Sequence, residues 1–240
     1  MSEVIVIASG KGGVGKTVFA TNLGTILAQR GARVVMIDMN IGLRSLDICF
    51  GLENRIVYDL TDAVTGICPV KKALVKDRRF EELYLISTPQ SRTKPIVTSE
   101  QLKTLCQELK EDFEYIIIDA PAGIDEGFLL AVAPADRAVI ITVPEHAAIR
   151  DADLLDGVFN ELGINKKCVI VNKIMSGLFK RGIVPDPVDI AENLRVPILG
   201  LIPFDENIHI SANIGVPIVM AKGNYIERNF SLIADRIINI

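Results

Sequence analysis

What is scarce in this chain narrows its class before any motif is read. Cysteine is rare: Cys49, Cys68, Cys106 and Cys168 lie far apart with no C-x-x-C pair, which fits reduced thiols in a core rather than a zinc or disulfide framework. No apolar run approaches the roughly 20 residues of a membrane-spanning helix. The apolar opening Val4–Ala8 is only strand-length and runs into glycines, without the basic start and longer apolar stretch of a secretion signal. A soluble, cytoplasmic protein is therefore expected. Basic excess is also missing, since 26 Lys and Arg face 30 Asp and Glu for a net charge of −4, so the overall charge does not call for nucleic acid. No Ser/Gly/Pro-rich linker divides the 240 residues, and one domain over 1–240 is expected. Aromatic residues make up only 5%, but the 49% hydrophobic content excludes disorder and low-complexity architectures.

What is present is a repeating pattern. Short, nearly continuous apolar runs recur at Val4–Ala8, Ala32–Ile37, Leu83–Ser87, Tyr115–Ile118, Ala138–Val143, Cys168–Val171 and Ile198–Ile202. Rich in Ile and Val and bounded by Gly, Asp, Asn or Pro, they read as strands buried on both faces. Between them Lys16–Gln29, Ser99–Lys110, Ala147–Leu162 and Asn224–Ile238 read as helices. Such alternation predicts an α/β fold, a doubly wound and mostly parallel sheet with helices on both faces. The stretch Leu52–Phe80 is the least regular and is expected to hold only short helices.

Gly10-Lys11-Gly12-Gly13-Val14-Gly15-Lys16-Thr17 matches G-x-x-x-x-G-K-[ST] between a predicted strand and a predicted helix. Glycines let the backbone turn its N–H groups around a phosphate, and the following helix adds its positive N-terminus. Lys16 is then expected to reach β- and γ-phosphate oxygens and Thr17 to ligate Mg²⁺. Lys11, early in the loop, reads either as a solvated charge or as a cation for the phosphates of a neighbouring subunit. Two apolar runs end in carboxylates, Asp38 and Asp119. Ligands bind outside the carboxyl ends of strands in such sheets, so both are candidates to hold the metal's water shell and position the attacking water; the alternative is that each caps a turn. Asn172 ends another apolar run, and its amide offers a paired donor and acceptor to a purine edge, or else caps a turn.

The loop Lys11-Gly12-Gly13-Val14-Gly15-Lys16-Thr17 resembles the deviant Walker A motif of the ParA/MinD ATPase family. The likeness continues through Ile41-Gly42-Leu43-Arg44-Ser45-Leu46-Asp47, Glu53-Asn54-Arg55-Ile56-Val57-Tyr58-Asp59-Leu60, Ala73-Leu74-Val75-Lys76-Asp77, Pro121-Ala122-Gly123-Ile124 and Arg150-Asp151-Ala152-Asp153. Several of these blocks are specific to the MinD branch. The resemblance implies a P-loop ATPase that dimerises with ATP and Mg²⁺ and places the division site by recruiting an inhibitor to the inner membrane, where it associates peripherally. It implies that Lys11 acts across the ATP-bound homodimer, that Asp38 and Asp119 serve the magnesium and water network, that Asn172 recognises adenine, and that Pro203 and Asp205 frame the adenine pocket. Residues 10–18, through Val18, would wrap the phosphates. Arg150 to Asp153 would meet a MinC-like inhibitor and a MinE-like regulator; on residues alone this is an ordinary solvated helix start.

Three departures from the family pattern stand out. Asn40 replaces an aspartate; it can orient water through its oxygen but carries no charge and takes no proton, so slow hydrolysis is expected. Val18 replaces a threonine, removing a hydroxyl that could bond a phosphate oxygen. The basic amphipathic tail that binds membrane in the family has no counterpart before Ile240. Ile226, Phe230, Ile233 and Ile237 follow helical spacing and read as a core face. Membrane contact is expected only if such a tail is present.

Two rival functions use the same fold. A ParA-like or flagellar-placement ATPase would act on DNA or polar machinery, but Lys71, Lys72, Arg78 and Arg79 read as a solvated face rather than a DNA-binding stripe. An iron–sulfur carrier would need facing thiolates across a dimer, and the four cysteines lack that setting. A non-hydrolysing ATP-binding scaffold is a variant of the first reading.

Overall fold

The computed structural model describes residues 2–90 and 97–240. Eight strands form one sheet: β1 Glu3–Ala8, β2 Val34–Asp38, β3 Val75–Lys76, β4 Leu83–Ile86, β5 Tyr115–Asp119, β6 Arg137–Thr142, β7 Lys166–Ile174 and β8 Ile198–Pro203. The helices are α1 Lys16–Gln29, α2 Leu46–Phe50, α3 Leu60–Val64, α4 Val70–Ala73, α5 Ser99–Asp112, α6 Glu126–Val132, α7 His146–Glu161, α8 Ser176–Phe179, α9 Pro187–Asn193, α10 Glu206–Asn213 and α11 Tyr225–Ile238. The sheet order is β3-β4-β2-β5-β1-β6-β7-β8. Every pairing is parallel except β3 with β4. Among the described residues no helix is long and apolar enough to cross a membrane.

The central strands are buried on both faces because alternate side chains feed two separate cores. From β1, Val4, Val6 and Ala8 join α5, α6 and α7 in one cluster, whereas Ile5 and Ile7 join α1 and α11 in the other. The face of α11 expected to be apolar, Ile226, Phe230, Ile233 and Ile237, is buried in that second cluster, with the Phe230 ring 5.9 Å from that of Phe19. Local signals agree with this packing. At α5 the Gln101 N–H donates to Thr98 Oγ1 and the Thr98 N–H donates back to Gln101 Oε1, a reciprocal cap.

The predicted strands and long helices all form, with shifted ends. The strand expected from Ala32 starts at Val34, because the Ala32 N–H still donates to Leu27 O at the end of α1. The strand expected at Cys168–Val171 extends to Lys166–Ile174. The irregular region holds α3, α4 and a short 3₁₀ turn, as expected, and also the antiparallel strand β3.

Arg79 is a correction. Instead of joining a solvated face, its guanidinium donates to the carbonyls of Phe50 at 2.6 Å and Gly215 at 2.8 Å while pairing with buried Asp77. It closes the point where the ends of α2 and α10 touch. Gly215 has φ of 69° and a Cβ there would lie 2.7 Å from the backbone of Gly51. Left-handed strain and a backbone clash therefore add, and Gly215→Ala should lower stability by about 3 kcal/mol. Urea denaturation should show a reduced midpoint with an unchanged slope; an unchanged midpoint would refute the contact.

Candidate functional site

The loop between β1 and α1 is shaped by its glycines and by β7. Gly15 is the N-cap of α1 with φ of 95°, and a Cβ on it would fall 2.3 Å from Asn172 Nδ2, so no side chain fits where the loop meets the end of β7. Among the described residues, the amides of Gly12, Gly13, Val14 and Gly15 donate to no backbone carbonyl. Uncommitted donors at a helix N-terminus that has no acidic residue in its first turn form a concavity suited to an anion.

Beneath the loop lie two carboxylates. Asp38 and Asp119 end neighbouring strands as partners in register, and both are fully buried. Lys16 Nζ lies 2.6 Å from Asp119 Oδ1. Thr17 Oγ1 donates to Asp119 Oδ2 at 2.6 Å, and Asn40 Nδ2 donates to the same oxygen at 2.9 Å. Burial pushes the Asp119 carboxyl above its usual range; Lys16 resists that rise and the neighbouring Asp38 adds to it. Asp38 is committed differently. Its Oδ1 accepts from the Asn40 N–H at 2.8 Å and Nδ2 at 3.0 Å, and its Oδ2 accepts from the amides of Ser45 at 2.8 Å and Leu46 at 3.0 Å. Asp38 thus fastens the start of α2, and like Asp119 it lies behind the residues that line the cleft. The amide of Asn40 bridges both carboxylates.

A cleft of about 1210 Å³ runs from this loop to the end of β8, lined by Ser9, Lys16, Thr17, Val18, Asn40, Asn172, Pro203 and Asp205. Asn172 Nδ2 donates to Val14 O at 2.8 Å, which leaves its Oδ1 as the acceptor side of the amide. The Asp205 carboxyl is held below its usual range by the Tyr225 hydroxyl and the amide of Asn207. It caps α10 and binds Tyr225. Ser9 Oγ is buried on the cleft wall with no hydrogen-bond partner among the described residues.

Other expected residues lie off the wall. Gly10 passes against Asp151 of α7, and the Val14 side chain is buried in the core beside α1. Lys11 points outward, 2.6 Å from Glu145 Oε2, with both side chains about half exposed. Glu145, Lys173 and Phe204 were not foreseen. Lys173 and Phe204 line the cleft, and the one advance signal was that each directly follows a residue already singled out at a strand end. The segment Arg150–Asp153 lies on α7, where Asp153 and Arg150 line a second cavity of about 450 Å³ with His146 and Asp189.

The residues fit a magnesium nucleotide. A cation, a hydroxyl and a buried carboxylate converge under a donor-lined loop, which suits Mg²⁺, an ion that keeps several waters and takes substrate phosphate as ligand. Among the described residues no group of three or more His, Cys, Asp or Glu is arranged to hold a metal alone. The cysteines do not fit a cluster: burial pushes the Cys49 thiol up to about 11 and those of Cys106 and Cys168 up to about 12, the opposite of ready thiolates.

Comparisons with known proteins find relatives along nearly the whole chain. A family model described as "ParA: NUBPL iron-transfer P-loop NTPase" matches residues 1–238. The septum site-determining protein MinD of Bacillus subtilis is 46% identical over 240 residues, covering 99% of this chain and 90% of that protein. The structure of the MinC:MinD cell division protein complex of Aquifex aeolicus superposes with a TM-score of 0.92 at 41% identity, covering 100% of this chain and 96% of that one. MinD complexed with Mg-ADP from Pyrococcus horikoshii shares the fold with a TM-score of 0.88 at 24% identity, over 99% and 96% of the two chains.

The buried pair yields a pH-dependent prediction. Lys16→Met leaves Asp119 uncompensated and should cost about 3 kcal/mol near neutrality. Because the folded Asp119 carboxyl titrates above its unfolded value, the folded state holds more protons in that window and stability falls as pH rises through it. Removing Lys16 extends the window upward, so the deficit should shrink in acid. Urea titrations compared at neutral and at acid pH should show this, and Lys16→Met with Asp119→Asn should recover most of the loss. A deficit independent of pH would refute the pairing.

Proposed function

This chain belongs to the ParA/MinD family of P-loop ATPases, alongside its septum-site-determining MinD members, and on that premise we propose that it is a slow, nucleotide-operated switch acting in division-site placement. Lys16 and Thr17 converging on buried Asp119 beneath a donor-lined loop carry this reading. ATP is the substrate and water the attacking group. Bound Mg²⁺ would supply charge neutralisation at the phosphates. Lys16 would leave Asp119 for the phosphate oxygens, Thr17 would turn its hydroxyl to the metal, and Asp119 would orient water in the metal's shell. Asp38 would act by holding the loop that carries Asn40. The free acceptor of Asn172 would take the 6-amino group of adenine and disfavour the 6-carbonyl of guanine, with Pro203 and Asp205 beside it.

Lys11 would exchange Glu145 for the phosphates of a second copy, so ATP would favour a homodimer. The α7 segment Arg150–Asp153 would receive a MinC-like inhibitor and a MinE-like regulator. Membrane contact would require a basic amphipathic tail, since the apolar face of α11 is spent on the core.

Solution mass with ADP against ATP tests the switch: a dimer with ATP and a monomer with ADP are expected, and a monomer in both would refute it. Asn40 tests the rate. Asn40→Asp adds a group that can accept a proton and should raise kcat about tenfold. It should also destabilise the nucleotide-free protein, because a third carboxylate then faces Asp38 and Asp119. Unchanged steady-state turnover would remove Asn40 from the account.

A further inference from the structure

Lys173 is held in a conformation that a side chain does not adopt without cause. Its φ is 57°, in the left-handed region that disfavours non-glycine residues. The register of β7 against β8 shifts between Val171 and Ile174, a bulge that contains Asn172 and Lys173. Such a bulge re-aims side chains, and here both are turned onto the phosphate loop. Lys173 Nζ donates to Gly13 O at 2.7 Å, and Asn172 Nδ2 donates to Val14 O at 2.8 Å.

The two accepting carbonyls are consecutive, and this decides what the contacts do. In a trans peptide the C=O and the N–H of the following residue point in opposite directions, and no cis peptide bond occurs among the described residues. Fixing Gly13 O toward Lys173 therefore aims the Val14 N–H the other way. Fixing Val14 O toward Asn172 does the same for the Gly15 N–H. Those amides belong to the set with no backbone acceptor.

We propose that Lys173 is a positioning residue of the phosphate site: its ammonium fixes the Gly13–Val14 peptide so that the Val14 N–H is presented to a phosphate oxygen. The left-handed backbone at Lys173 is what lets the side chain reach back to the loop. This inference rests on the magnesium-nucleotide reading of the cleft and assigns Lys173 to the phosphates rather than to the base.

Binding of Mg-ATP and of inorganic tripolyphosphate, which has no base, tests it by calorimetry. Lys173→Gly keeps the left-handed backbone at no cost while deleting the amine. It should weaken both ligands about tenfold, the loss of one charged hydrogen bond. Lys173→Arg should stay within about threefold of the parent because it restores a cationic donor. At saturating ATP, kcat should be unchanged while KM rises, a split that general loosening of the fold would not give. Thermal unfolding of the nucleotide-free glycine variant should match or exceed the parent. Parent-like affinity in Lys173→Gly would overturn the proposal, and so would a loss confined to ATP with tripolyphosphate binding intact. If the parent protein binds neither ligand, the nucleotide reading itself fails; if the parent binds and the variant binds equally, only the role of Lys173 fails.

Discussion

Two fully buried carboxylates side by side, at the ends of β2 and β5, are the constraint around which this molecule is organised. Neither can stay charged without donors, because an unpaired charge in such surroundings is too costly to keep. The chain meets the demand in two ways. Asp38 is satisfied by its own neighbourhood, through backbone amides at the start of α2 and through Asn40. Asp119 is satisfied from across the sheet, by Lys16 and Thr17 at the start of α1 and again by Asn40. The first carboxylate builds a loop. The second holds two groups that a phosphate and a metal can also use, and this makes the site convertible rather than merely structural.

Asn40 decides how the two carboxylates share their donors. A neutral amide can donate to both acids at once, whereas a carboxylate in its place would add a third negative group to a buried pair. With an amide at position 40, the formal charges at the centre are those of two carboxyl groups and one amine rather than three carboxyl groups and one amine. A site whose internal charges already nearly balance depends less on metal for its integrity in the empty state. An amide at position 40 also offers no group that can take a proton from water. On the proposed reading, stability of the empty site and speed of the loaded one would be set against each other at a single position.

The layout of the fold was legible because burial on both faces leaves a plain mark, runs such as Val4–Ala8 and Tyr115–Ile118. The phosphate loop was legible because glycine, lysine and threonine at fixed spacing have few other uses. What stayed hidden depended on contacts distant in sequence. Arg79 reads as a surface charge until Phe50 and Gly215 are brought beside it. The donors that Asp38 meets, from Asn40 and from the amides of Ser45 and Leu46, cannot be read from its place at a strand end. Lys11 finds Glu145 only through folding. The bulge that turns Lys173 onto the loop leaves no sequence mark, since a left-handed lysine looks like any other.

The hidden contacts also join the two ends of one cleft. The short helix α2 is fastened at its start by Asp38, next to the bridging amide of Asn40. At its end the carbonyl of Phe50 is held by Arg79, whose guanidinium also holds Gly215 just past α10. The other end of α10 begins at Asp205 on the cleft wall. Asn40 at the phosphate end is thus joined to Asp205 through two helices and one clamp, with the backbones of Gly51 and Gly215 too close to admit a Cβ between them. In this molecule the element joined to the carboxylate network is the same one that borders the opposite end of the cleft.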